Sequence, residues 1–248
     1  MSENDQPFWK GPREFAMTRW SMVSRARSEA PEARAAALDE LCTTYWYPVY
    51  AFIRRKGRSA DDAQDLAQQF LSGWITGSAL DRVDEARGKF RTFLLRSLEQ
   101  FLIDQSRREK AQKRGGDVTH IALDGLAMEA RYRMEPLTSE TPETLYDRHF
   151  AEALLARAME RLRLNAAASP RSAFTLDLLP YVAGELPPGA ADEIGQRHGL
   201  AGGAVSAALY RLRGQWKKCL REEVLETTGS PEAMEEEMQH LFAALTND

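Results

Sequence analysis

The chain has 248 residues, 43% of them apolar and 28% charged, with a formal net charge of -4 and a mean hydropathy of -0.49. That length serves one large core or two small ones, and two domains are the expectation. No apolar run approaches the roughly 18 residues of a spanning helix, and the N-terminal sequence MSENDQPFWKGPREF has no basic stretch followed by an apolar one. Membrane insertion and secretion are therefore excluded as expectations, and the cytoplasm is the expected location.

Apolar residues recur at helical spacing nearly throughout and two-residue alternation is missing, so the sequence predicts an all-α protein. The expected helices run roughly over 16–27, 31–55, 61–76, 89–111, 146–164, 171–183, 190–197, 203–224 and 231–245. In the helix at 61–76, Ala63, Leu66, Ala67, Phe70, Leu71, Trp74 and Ile75 form an inward stripe. Asp62, Asp65, Gln68, Gln69 and Ser72 form a short polar row outside it. Such a row is either a plain solvated face or a docking surface for arginines and lysines, for which carboxylates and amides are the matching acceptors.

The helix at 89–111 turns Phe90, Phe93, Leu94, Leu98, Phe101 and Leu102 inward. Arg96, Gln100, Ile103 and Arg107 share the other side. Between Glu85 and Gly116 there are nine Lys/Arg against four Asp/Glu, on an acidic background. One or two cations would satisfy the helix dipole, whereas Arg107, Arg108, Lys110, Lys113 and Arg114 supply five. A polyanion site is the reading that accounts for the excess.

The segment Asp117 to Arg148 carries seven acidic and three basic residues, two prolines and the turn-prone run TSETPET, and reads as an acidic interdomain linker. A short helix, a turn through His198-Gly199-Leu200 and a longer helix then fit helix-turn-helix spacing, a pattern that a generic helical hairpin shares, with Gly199 suited to a positive φ. Val205, Ala208, Leu209, Leu212, Trp216, Cys219 and Leu220 face inward on the second helix. Ser206, Ala207, Tyr210, Arg211, Gly214, Lys217, Lys218 and Arg221 face outward. After Arg221 the chain has eight acidic residues and no Lys or Arg. Ser230-Pro231 opens a last helix whose Met234, Met238, Leu241, Phe242 and Leu245 share an apolar face.

Cys42 and Cys219 sit singly in apolar helical patterns and read as reduced core residues. His120, His149, His198 and His240 are scattered, without metal-ligand spacing, and GxSxG, Walker and GxGxxG motifs are missing. No catalytic constellation, metal or cofactor is expected, and the protein is not expected to be an enzyme.

The segments YWYPVYAFIRR, DAQDLAQQF, GKFRTFLL and KAQKRGG, followed by the helix-turn-helix pattern, resemble a bacterial sigma factor of the extracytoplasmic-function class, planctomycete-type group. The resemblance implies a region 2-like helical domain over 1–116, the acidic linker over 117–145, a region 4-like helix-turn-helix domain over 146–226 and an acidic C-terminal helix over 227–248. It further implies that Asp62, Asp65, Gln68 and Gln69 meet the β′ clamp of RNA polymerase core. Lys89, Arg96, Gln100, Arg107 and Arg108 would serve the minus-ten element, with the loop Asp84 to Lys89 and Gln100 helping to capture a flipped base. Gly203, Ser206, Tyr210, Arg211 and Lys217 would serve the minus-thirty-five element, with the β flap as a second polymerase contact. The implied partners are polymerase core and promoter DNA, with room for an anti-sigma factor or other regulator, and the free chain is expected to be a monomer. The residues themselves leave open a stand-alone helix-turn-helix regulator. They leave two readings of the acidic linker and tail: a solubilising linker and a helix packed on the C-terminal domain, which is favoured, or segments that lie on the basic faces and suppress DNA binding until polymerase docks.

Overall fold

The computed structural model describes residues 31–76, 89–111, 125–135, 139–228 and 230–246. Among these the chain is α-helical with one short 3-10 segment and no strand. The helices are α1 (Pro31–Arg55), α2 (Ala60–Thr76), α3 (Phe90–Ala111), α4 (Gly125–Met134), α5 (Pro142–Ala167), α6 (Ser172–Leu178), α7 (Ala190–His198), α8 (Gly202–Thr228) and α9 (Pro231–Thr246). The expected helix at 16–27, the loop Asp84 to Gly88, Lys113 and Arg114 lie outside the described residues, as do the side chains of Trp74, Ile75 and Lys110.

The run YWYPVYAFI makes α1 the inner helix of its half, because it offers no polar side to water. Tyr45, Trp46, Tyr47, Val49, Tyr50, Ala51, Phe52 and Ile53 are all buried. Pro48 lies inside this helix and removes one backbone donor, a loss that burial on every side outweighs. The helix stops at Gly57, with φ +90°, and Ser59 starts the next by accepting from the Asp62 amide at 3.1 Å. Asp61 and Asp62 then occupy the first turn of α2, where carboxylates suit the helix dipole. The expected stripe on α2 is buried at Ala63, Leu66, Ala67, Phe70 and Leu71, and that on α3 at Phe90, Leu94 and Leu98.

Helix α5 packs against α1 on one side and against α8 and α9 on the other. Its Tyr146 and Phe150 meet Phe52 and Tyr45 of α1 through ring contacts, while Leu154 and Leu162 extend the same buried cluster toward α8. Buried residues from α1 to α9 consequently form one connected apolar cluster. Charge follows the same seam. Glu223 of α8 is 1% exposed and accepts from Arg157 (3.0 Å) and Arg161 (2.8 Å) of α5. Arg157 also pairs with Glu40 and reaches Thr44 on α1.

The stretch expected to be only a linker contains α4, which has no counterpart among the helices expected from periodicity. Its attachment is largely polar, so an apolar pattern had little to report. Glu129 accepts from Tyr50 at 2.5 Å and from Arg54 at 3.0 Å. Arg131 lies over the Tyr47 ring at 3.6 Å, and Glu135, just past α4, takes His149 Nε2 at 2.7 Å and the Tyr47 hydroxyl. Burial alone would raise the Glu129 carboxyl, but hydrogen bonds from Tyr50, Arg54 and Arg133 hold it down to about 2.

Candidate nucleic-acid interface

The outward row of α2 is divided. Asp62 and Asp65 are exposed, as the pattern requires, and Gln69 is half-buried. Gln68 is 3% exposed, which corrects its expected place on the outer row. Gln68 flanks the buried stripe on the side away from Gln69, and packing extends over that flank; on the other flank Gln105 Nε2 of α3 donates to Gln69 Oε1 at 2.6 Å. The surface α2 offers to a partner is thus Asp62 and Asp65, flanked by Gln69.

On α3, Arg96, Gln100, Ile103, Arg107 and Arg108 are exposed together. Asp104 organises this face in a way the spacing of cations did not reveal: its Oδ1 accepts from Gln100 Nε2 at 3.1 Å and lies 3.6 Å from Arg107 Nη1. An ionised carboxylate can only accept, so the Gln100 amide turns its nitrogen to Asp104 and leaves its carbonyl oxygen available. The result is a helix face with two cationic ends and an oriented amide between them.

Lys89, immediately before α3, has a different setting from the other minus-ten candidates. Its Nζ is 3.2 Å from Glu237 and 3.6 Å from Glu236, both on α9. Beside it, Arg91 is buried and donates to Glu237 Oε1 at 2.7 Å while also pairing with Asp147 of α5. Glu237 is 0% exposed. Burial opposes its charge, yet Arg91 and Lys89 hold the carboxyl below its ordinary range. Sequence reasoning missed Arg91 because its partners lie 56 and 146 positions away.

The C-terminal candidates lie on α8 after a tight turn. Gly199 has φ +67° and ψ +33°, a left-handed conformation that favours glycine. Space is tight here: a Cβ on Gly195 of α7 would sit 2.4 Å from the carbonyl oxygen of Leu200 in the turn, and one on Gly202 at the start of α8 would sit 2.2 Å from the Asp192 side-chain Oδ1. Val205, Leu209, Leu212, Cys219 and Leu220 are buried, with Ala208 and Trp216 partly so. Gly203, Ser206, Tyr210, Arg211 and Lys217 are exposed as expected, Tyr210 by 80%. Ser206 donates to the Gly202 carbonyl at 3.2 Å, so its hydroxyl is partly engaged within the helix.

Among the described residues, no group of His, Cys, Asp and Glu is arranged to hold a metal ion, and no helix is long and apolar enough to cross a membrane. Cys42 and Cys219 are both buried and unpaired. Burial, then the charge of Asp39, pushes the Cys42 thiol up to about 11; burial likewise raises Cys219.

No curated protein and no solved structure matches the chain. Residues 43–112, from the inner half of α1 through α3, match the family model for Sigma-70 region 2. The helices that bear the Asp62–Asp65 edge and the Arg96–Arg107 face therefore lie within the part of the chain that is similar to Sigma-70 region 2.

Proposed function

We propose that this chain is a sigma factor of the extracytoplasmic-function class, planctomycete-type group, that brings RNA polymerase core to specific promoters. The observation that carries the reading is the coincidence of the region 2 match with an exposed cationic and amide face on α3 and an exposed acidic edge on α2. Asp62 and Asp65, with Gln69 beside them, dock on arginines or lysines of the β′ clamp. Gln68 supports that edge from inside. Arg96, Arg107 and Arg108 hold the backbone of the minus-ten element and Gln100 contacts a base, while Lys89 adds a cation at the entry to α3. The α7–turn–α8 unit acts as a helix-turn-helix whose Gly203, Ser206, Tyr210, Arg211 and Lys217 approach the minus-thirty-five major groove, with the β flap as its polymerase contact.

The net charge of -4 supports a role that depends on polymerase. An acidic chain with two small cationic faces has a weak phosphate term alone, and core supplies the missing binding energy. The free chain acts as a monomer in the cytoplasm, without enzymatic chemistry, and its exposed edges leave room for an anti-sigma factor.

Run-off transcription with purified core on genomic fragments tests the reading. Initiation at discrete sites is expected with the chain, and its loss with Asp65→Arg or with Arg96→Ala/Arg107→Ala. No initiation on any template, together with tight duplex binding by the chain alone, would favour a stand-alone regulator.

A further inference from the structure

The contact between α9 and the start of α3 joins two kinds of surface. The apolar side of α9, through Met234, Met238, Leu241 and Leu245, is committed to α5 and α8, where it meets Ala151, Leu154, Leu220 and Val224. Its approach to Lys89 and Arg91 is ionic, through Glu236 and Glu237. This ionic end can part from α3 without α9 leaving its apolar bed. Arg91 is the fixed member, since Asp147 of α5 holds it independently of α9. Lys89 is the exchangeable one: its side chain keeps 25% exposure and its second partner, Glu236, is 78% exposed.

From this arrangement we infer that α9 is a built-in competitor for the minus-ten site, with the Glu236 and Glu237 carboxylates occupying on Lys89 the place a DNA phosphate takes in the bound state. The inference rests on the reading of Lys89 and α3 as the minus-ten surface. Both ligands are anionic oxygens and Lys89 carries one charge, so one of them neutralises it at a time. Because α9 is also seated on α8, a shift of α8 that tilts the start of α9 away from α3 withdraws the carboxylates and exposes the lysine, while Asp147 of α5 keeps Arg91 in place. Engagement of α8 with upstream DNA and readiness of Lys89 are thereby coupled, and by linkage the coupling runs in both directions.

The experiment is a titration of the full-length chain, without core, into a fluorescein-labelled single strand of about 12 nucleotides of mixed sequence, followed by anisotropy across a salt series. Glu236→Gln/Glu237→Gln removes both competing charges. One added single-strand phosphate contact steepens the slope of log affinity against log salt by about 0.7, which is about fivefold tighter binding at 0.1 M salt. The gain is expected to vanish when Lys89→Gln is added to the double variant. Circular dichroism and the melting temperature of each variant check that α9 remains folded, and for a variant that fails this check Glu236→Gln alone is read instead, with a smaller gain expected. Unchanged affinity and slope overturn the proposal, as does a gain that persists without Lys89. Failure of the wild-type chain to support initiation with core would instead overturn the minus-ten reading beneath it, so the two failures are distinguishable.

Discussion

Glu223→Gln probes how the two ends of the molecule are held together. Glu223 is 1% exposed and lies 3.0 Å from Arg157 Nε and 2.8 Å from Arg161 Nη2. The amide keeps the size of the side chain and removes its charge. Breaking a buried pair by removing one partner typically costs 3–5 kcal/mol, because the remaining charge is left without compensation. Here the cost is smaller, since Arg157 retains Glu40 and Arg161 retains Glu222 and Glu226, and both arginines keep about a quarter of their side-chain surface in water. A loss of about 2 kcal/mol follows, equivalent to a fall of roughly 4–8 °C in Tm for a chain of this size. Thermal unfolding followed by circular dichroism, with a parallel urea titration, measures it. A Tm within a degree of wild type would refute the argument that Glu223 compensates two arginines at once.

Three further outcomes are expected. Gly195→Ala places a methyl carbon against the Leu200 carbonyl and should cost about 1–3 kcal/mol by forcing α7 apart from the turn that follows it, whereas Gly203→Ser, which meets nothing within 4 Å, should leave urea stability near wild type; equal effects would contradict the close approach. Glu129, held down to about 2, contributes stability that is present above its ordinary range and is lost as pH falls from about 4.5 toward the folded value; Glu129→Gln should therefore show a flatter stability profile over that acidic window, and parallel profiles would exclude the Tyr50–Arg54 docking of α4 as the cause. Asp104→Ala frees the Gln100 amide, which in the wild type presents its carbonyl oxygen and so favours bases with an exocyclic amino donor, cytosine and adenine, over thymine; that discrimination should weaken by up to about 1 kcal/mol; identical preferences in competition binding would show that Asp104 does not orient the amide.

The helices whose burial is apolar were legible. The 31–55 helix emerges with those bounds despite Pro48, and Ser230-Pro231 opens α9 as a cap followed by a first-turn proline, with Ala233 N donating to Ser230 Oγ at 3.2 Å. The outward α3 face was equally readable, because Arg96, Gln100, Ile103 and Arg107 follow from spacing alone. What periodicity could not express were partners distant in sequence. Helix α4 docks through Glu129, Arg131 and Tyr132 onto α1, a polar attachment without an apolar stripe. The run TSETPET looked like pure turn, yet its Thr141-Pro142 pair caps α5, with Thr144 N donating to Thr141 Oγ1 at 3.2 Å. The same letters signal a loop or a helix start depending on whether a packed face follows. Gln68 was misplaced for a related reason: a helical wheel shows one helix, and the neighbour that covers the residue is not on it.

The sheltered state of both native thiols has a practical consequence. Cys42, pushed up to about 11, and Cys219 are buried and protonated near neutrality, so they resist alkylating reagents that attack thiolate. A cysteine introduced at the exposed Ile103 would then react selectively in an otherwise unaltered chain. Fluorophores or photo-crosslinkers can be placed on that helix without first stripping the protein of its own sulfhydryls.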